Sequence, residues 1–238
     1  MSILEYLFVF AGVVLSGIVV LRMKISAYAL KLLLAFSGAF LFSISVMELM
    51  PEIYSSGVPF TGVFILAGFL VQIIIEFFSK GIEHGHVHQH HTGDKRFPAM
   101  MMIALGVHSF LEGMPLAGEW PGDESLHRSL LTGIILHNVP VSIALVLLLR
   151  EAGIKEIPVL YWLVGFALMT PAGAFVADLA GSGFAGSITN FFPYLMALVT
   201  GIFLHISTTI LFESSENHRF NLIKLLVIIL GAMGGMMI

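Results

Sequence analysis

Two short motifs within apolar stretches carry side chains that could bind a metal ion. His108 and Glu112 lie four residues apart in the apolar run 101–116. His137 and Asn138 lie in a second apolar run. Residues at positions i and i+4 share one face of an α-helix, so an imidazole and a carboxylate would point the same way. Because ionisable groups are costly at membrane depth, they are candidates for function there. The motifs predict a divalent-metal site inside a bilayer.

The composition indicates an integral membrane protein. Of the 238 residues, 58% are hydrophobic and 11% are charged, and the mean hydropathy is +0.97. A soluble domain of this size carries more charge on its surface. No basic patch alternates with aromatic residues, so nucleic acid is not an expected partner. The chain has no cysteine, which excludes disulfides and thiolate ligands.

Eight apolar runs are long enough to cross a bilayer as helices, which takes about 20 residues each. We therefore predict an all-α polytopic membrane protein with one transmembrane domain, residues 1–238. The first run lacks a basic n-region, so we interpret it as a retained span and not as a signal peptide. The predicted spans are about 3–21, 27–50, 60–78, 97–116, 130–149, 157–179, 191–212 and 222–238, with a histidine-rich loop at 79–96.

The basic residues fall on one side of this arrangement. Ten of the eleven Lys and Arg residues lie in or beside the loops that follow spans 1, 3, 5 and 7, and Arg128 lies on the other side. The positive-inside rule then places these loops in the cytoplasm and both termini outside. Spans 2 and 7 share similar segments, SGAFL at 37–41 and TGIFL at 200–204, and cross in opposite directions. This match is consistent with an inverted repeat, which usually brackets a site at the midplane.

The two motifs should meet because spans 4 and 5 are antiparallel neighbours. His108 and His137 fall within or near the middle third of their spans at about 1.5 Å rise per residue. Two imidazoles and one carboxylate suit Zn²⁺ and leave a fourth position open. Asn138 offers a carbonyl oxygen as a further ligand or as a hydrogen-bond partner of a ligand. The set also suits Fe²⁺, Mn²⁺, Co²⁺, Ni²⁺ and Cd²⁺. The alternative is that the histidines hydrogen-bond across helices and that Glu112 is a protonated packing residue.

The paired motifs resemble those of the ZIP (Zrt-/Irt-like) family of metal transporters. HSFLEG at 108–113 is similar to H-N-x-P-E-G of the family's fourth span, and HNVP at 137–140 is similar to H-x-x-P-E of its fifth. The P-E pair that closes span 2 and the histidine-rich loop also match. The resemblance implies eight spans in a 3+2+3 inverted-repeat arrangement. It also implies a transporter, not an enzyme, that moves a divalent cation, zinc first, towards the cytoplasm.

The chain departs from the family pattern at a second metal site. The resemblance implies that this site uses the positions of Ser109, Asn138, Val141 and Thr170, where Asn or acidic residues are usual. None of the four is acidic here, and Val141 also removes a bridging carboxylate from the first site. We therefore expect one ion per chain at the midplane. With a single carboxylate and neutral histidines, the filled site keeps a net positive charge, which favours weak binding and fast release.

Four further features have two interpretations each. His205 in span 7 is either a transient ligand or proton carrier, or a hydrogen-bonded core histidine. Glu48, Glu52 and Glu213, at or near the ends of spans 2 and 7, form acidic funnels or are plain interfacial carboxylates. Glu76, near the end of span 3, is either interfacial or a ligand, and the interfacial interpretation is favoured. The histidine-rich loop is a chelating segment or a solvated tether. Its histidines are His84, His86, His88, His90 and His91.

Partners and driving force follow from the same patterns. We expect a divalent metal ion as transported substrate, a lipid bilayer as surroundings and no cofactor. The chain has no GxxxxGK[ST] motif, so a gradient would drive transport, with proton exchange as one option because histidine ligands must be neutral. We expect the protein in a cell membrane, with the bacterial inner membrane as our hypothesis. A homodimer is possible on this sequence. Rival functions are a membrane metal sensor and an intramembrane metallohydrolase, although the HExxH signature is absent.

Overall fold

The computed structural model describes residues 1–23, 25–79, 97–118, 124–183, 191–213 and 221–238. Every regular element in these ranges is helical, which confirms the predicted all-α class. The five loop histidines lie outside the described residues. The α-helices are α1 (Ile3–Arg22), α2 (Ala27–Ile44), α3 (Met50–Ser55), α4 (Thr61–Ser79), α5 (Phe97–Gly113), α6 (Glu124–Glu151), α7 (Glu156–Ala167), α8 (Met169–Gly183), α9 (Phe191–Glu213) and α10 (Leu222–Met236).

Each predicted span corresponds to one helix or to consecutive helical segments. Seven of these are long and apolar enough to cross a membrane, and α10 is apolar but has 15 residues. The helix α6 begins at Glu124, earlier than the predicted start of span 5. Leu126 and Ser129 in these extra turns are buried, so packing extends the helix beyond its hydrophobic run. His137 consequently lies near the middle of α6, about 20 Å from its first residue. The 3+2+3 arrangement stays a prediction.

The outside of the helix bundle is apolar, unlike the surface of a soluble protein, and several polar side chains are buried inside. Large apolar residues such as Phe8, Leu66 and Ile103 are exposed on the outside of the bundle. Polar side chains such as Gln72 and Thr200 are buried within it. A lipid solvent explains this distribution, because hydrocarbon accepts apolar side chains but cannot satisfy polar ones.

Close glycine contacts hold three pairs of spans together. In α4 and α9, Gly68 faces the backbone of Leu198, with no room for a Cβ atom. Gly231 of α10 faces the carbonyl of Phe36 in the same way, and Gly113 of α5 faces that of Thr170 in α8. Small residues allow helix backbones to approach this closely in membranes. These contacts join span 3 to span 7, span 8 to span 2, and span 4 to span 6.

Ring contacts show the relative direction of α4 and α9. Phe64 packs on Tyr194, and Phe69 packs further along both helices on His205. Residue numbers therefore rise together along the two helices, which makes them parallel. Spans 3 and 7 must be parallel if eight spans cross in alternating directions, so the register agrees with the predicted alternation.

Irregular turns interrupt three of the spans near their buried polar residues. The helix α5 tightens into a 3₁₀ turn at Met114–Ala117, where Pro115 cannot donate a backbone hydrogen bond. Span 6 breaks between α7 and α8, directly before Thr170. A π-helical turn, Ser45–Leu49, joins α2 to α3. Such π turns frequently occur at functional sites.

Candidate metal centre

The centre consists of His108 and Glu112 on α5 and His137 on α6. One ligand atom from each residue lies within 4.8 Å of the other two. Oε1 of Glu112 is 2.9 Å from Nε2 of His108 and 3.9 Å from Nε2 of His137. All three side chains are fully buried. Tetrahedral Zn²⁺, with bonds of about 2.0–2.2 Å to nitrogen and oxygen, places its ligands about 3.3–3.5 Å apart. The three residues therefore need only small shifts to share an ion.

Gln72 of α4 orients the first histidine ring. Its Oε1 lies 3.2 Å from Nδ1 of His108, and its side chain is fully buried. An amide oxygen can only accept, so in this orientation Nδ1 carries the proton and donates it. Nε2, the atom that faces Glu112, then keeps its lone pair for a metal. Metal-binding histidines commonly have such a partner on the second ring nitrogen, where it fixes the tautomer.

This tautomer has a consequence for Glu112. Two acceptor atoms, Oε1 of Glu112 and Nε2 of His108, then lie 2.9 Å apart. Neither carboxylate oxygen of Glu112 has a hydrogen-bond partner within the described ranges. A buried carboxylate without a partner is costly. A proton or a metal ion between the two atoms would remove the repulsion, and His137 on the other side offers the ion a third ligand.

Asn138 lies beside the centre within a neutral hydrogen-bond network. Its Oδ1 accepts a hydrogen bond from Oγ of Ser109 at 3.3 Å, and its Nδ2 donates to Oγ1 of Thr170 at 3.3 Å. All three residues are buried, and so is the neighbouring Val141. The carbonyl oxygen that could bind a metal therefore has a protein partner in this arrangement. Its role as a ligand stays a prediction.

Gln72 was not identified from the sequence, although a signal for it exists. Gln72 is the one amide in α4. The other polar residues of this helix are Glu76 and residues at the helix ends. An isolated polar side chain in the middle of an apolar span is rare enough to be a candidate for function. What the sequence could not indicate was its partner, because α4 and α5 are joined by a loop whose path no local pattern predicts.

The remaining candidate residues lie away from the centre. Nε2 of His205 in α9 lies 3.4 Å from Oε2 of Glu76 in α4, so Glu76 has a partner within the bundle. Glu48 and Glu52 contribute to the wall of a cavity of about 380 Å³. The cavity lies between the end of span 2 and the start of α6, the outer side under the predicted topology. Its lining residues are Met47, Glu48, Pro51, Glu52, Ser55, Ser125 and Leu126.

Comparison with known proteins identifies the family. Residues 83–238, more than half of the chain, match the family model described as ZIP Zinc transporter. This range contains the whole centre. The chain is also similar to Protein zntD from Dictyostelium discoideum, with 27% identity over 169 residues. That alignment covers 65% of this chain but 24% of the relative, so the chain spans about a quarter of that protein's length. The chain belongs to the ZIP zinc transporter family.

Proposed function

We propose that this protein transports a divalent cation, with zinc as the first candidate, towards the cytoplasm. The centre binds one such ion at a time. The observation that carries the proposal is the convergence of three buried ligand atoms within 4.8 Å, contributed by two membrane-spanning helices. Membership of the ZIP family supports it. The expected midplane position rests on His108 lying midway along the apolar span Ala99–Ala117 and on His137 lying near the middle of α6.

The ligand set favours an ion that binds the centre and can also be released from it. Two imidazoles and one carboxylate are typical of zinc sites that keep a fourth position open for water or another ligand. Oδ1 of Asn138 already accepts a hydrogen bond from Ser109, so it would take that position with its second lone pair. One carboxylate does not neutralise a divalent cation, so the filled centre stays positive. A transport site must bind strongly enough to load and weakly enough to release, and three protein ligands with one carboxylate would favour both.

The network around Asn138 supports one ion at the midplane. Ser109 donates a hydrogen bond to Asn138, Asn138 donates one to Thr170, and none of the three carries a formal charge. A second divalent ion there would have to displace these bonds and would find no carboxylate to compensate its charge. We expect a zinc titration of the protein to give one midplane ion, and two ions at that depth in a crystal structure would contradict this.

Transport requires the centre to face the two sides of the membrane in turn. Movement of α5 and α6 with their ion would accomplish this. The close contact at Gly113 and Thr170 joins α5 to α8, and α1 packs along α6, so these helices would move with the centre. The helix α4 packs mainly on α9, so Gln72 would lie across the moving boundary from His108, and their contact would break or re-form during the cycle.

Zinc uptake into proteoliposomes tests the proposal. The unmodified chain should accumulate zinc, and His108→Ala and Glu112→Ala should abolish uptake because each removes a ligand. His127→Ala is the matched control, since His127 lies on the same helix as His137 and pairs with Glu5 away from the centre. Uptake that survives both ligand substitutions would refute the assignment. Zinc binding without uptake would favour the sensor instead.

A further inference from the structure

Glu76 and His205 form a second histidine–carboxylate pair between α4 and α9. Nε2 of His205 lies 3.4 Å from Oε2 of Glu76, and their side chains are 9% and 22% exposed, respectively. The ring of Phe69 meets the edge of the His205 ring at a centroid distance of 4.9 Å. The close contact at Gly68 and Leu198 fixes the two helices against each other about two turns away. The pair is thus a positioned feature of a packed interface.

Gln72 lies between this pair and the centre along α4. Gln72 precedes Glu76 by four residues, so the two share one face of α4, about 6 Å apart along the helix axis. Gln72 contacts His108 of the centre at 3.2 Å. Polar side chains therefore continue from the centre, through Gln72, to Glu76 and His205. They run towards the C-terminal end of α4, which is the cytoplasmic end under the predicted topology.

We infer that Glu76 and His205 bind a divalent cation as a second, weaker site, which receives the ion from the centre. This inference rests on the proposed function for the direction of travel. One imidazole and one carboxylate are two of the ligands that zinc prefers, and water completes the coordination where side chains are partly exposed. Two protein ligands bind more weakly than three, and successive sites that weaken along a path favour release.

A second pair shows that the residue types alone do not make this site. His127 and Glu5 lie 3.2 Å apart and are exposed to a similar extent. However, Oε2 of Glu5 accepts a hydrogen bond from the backbone of Ser2 and completes the cap of α1. No described polar contact leads from that pair to the centre. It is the matched control for the experiments below.

Replacement of His205 by cysteine gives a direct signal for metal binding. The chain has no cysteine, so a His205→Cys variant has one thiol. Thiolate ligands favour soft ions, and the purified variant in detergent should therefore show a Cd²⁺–thiolate charge-transfer absorption band on titration with Cd²⁺. Adding Glu76→Gln should weaken Cd²⁺ binding at least tenfold. Thr208→Cys, one turn further along α9, should give no band at the same concentrations. Absence of the band in His205→Cys would refute a metal site at this position.

Uptake measurements test the role of the site in transport. Glu76→Gln and His205→Gln should lower the maximal rate of zinc uptake about tenfold and leave the zinc affinity of the centre within twofold. His127→Gln should change neither quantity. The binding assays should use a background in which the histidines at 84, 86, 88, 90 and 91 are Ser, to remove competing ligands.

The two proposals fail in distinguishable ways. A cadmium band that depends on Glu76, in a chain that shows no zinc uptake, would support the second site and refute transport. Normal uptake together with no band, or a band unaffected by Glu76→Gln, would refute the second site and leave transport standing. A band that persists after Glu112→Gln would support independent binding by Glu76 and His205.

Discussion

The centre and the Glu76–His205 pair are built from the same two side-chain types, yet they differ in burial and in ligand number. The centre has three ligands that are fully buried, and its carboxylate has no hydrogen-bond partner within the described ranges. The pair has two ligands, and Glu76 retains 22% exposure. A carboxylate removed from water depends on a cation or a proton for compensation, whereas a partly exposed one keeps some of its hydration.

The comparison indicates that the strength of a metal site depends on how many ligands converge, and not on the residue types alone. His108 and Glu112 are already aligned by one helical turn, and His137 comes from a neighbouring span. Glu76 and His205 come from spans 3 and 7, and nothing in their local sequence aligns them. The first site is consequently visible as a motif, and the second only as two isolated polar residues.

Glu112→Gln should have the largest effect. It removes the only carboxylate of the centre and leaves its size unchanged. Zinc affinity should fall by about 100-fold or more, because even outer partners of metal ligands contribute about 10–100-fold. Isothermal titration in detergent measures this. Glu76→Gln should leave the tight zinc-binding step in place, and equal losses for the two variants would remove the distinction between the sites.

Gln72→Leu should have the next largest effect on the centre. The substitution keeps the approximate volume but removes the acceptor that holds the proton on Nδ1 of His108. We expect a loss of about 10-fold in zinc affinity, within the range for residues that orient a histidine ligand. Gln72→Asn, which is one methylene shorter, should not restore the contact. Unchanged affinity in Gln72→Leu would show that the contact does not orient the ring.

Gly113→Ala should destabilise the protein and disturb the centre through the helix backbone. A Cβ atom at this position would overlap the carbonyl of Thr170, so α5 and α8 must separate. Overpacking of this kind costs about 1–3 kcal/mol. Gly165→Ala on α7 is the matched control, because no atom lies within 4 Å of its added Cβ. Thermal unfolding in detergent should show a lower midpoint for Gly113→Ala and little change for Gly165→Ala.

Ser109→Ala should have the smallest effect. It removes one neutral hydrogen bond to Asn138, a contribution of about 1 kcal/mol, without touching a ligand of the centre. Zinc affinity should change by less than about fivefold, and the stoichiometry should stay at one midplane ion. An increase in affinity would indicate that the freed Oδ1 of Asn138 binds the ion, which would establish Asn138 as a fourth ligand.

Much of the fold could be predicted because hydropathy and helix geometry are local properties. In a bilayer the backbone must satisfy its own hydrogen bonds, so each long apolar run becomes a helix. The i, i+4 spacing of His108 and Glu112 then aligns two ligands on one face. The boundaries were less predictable, since buried residues such as Leu126 and Ser129 extend α6 beyond its apolar run. The sequence also indicated that the usual acidic residues around Asn138 are missing.

Contacts between helices distant along the chain were decided by the tertiary structure alone. Gln72 contacts His108, and Glu76 contacts His205, because glycines such as Gly68 allow particular spans to pack at one register. A shift of one turn would move each polar side chain about 5.4 Å and separate these partners. The sequence by itself therefore determined the membrane helices and the aligned ligands of α5. Only helix packing decided which residue orients the His108 ring and where the second histidine–carboxylate pair forms. The reason is that the register between helices is set by how their backbones fit together.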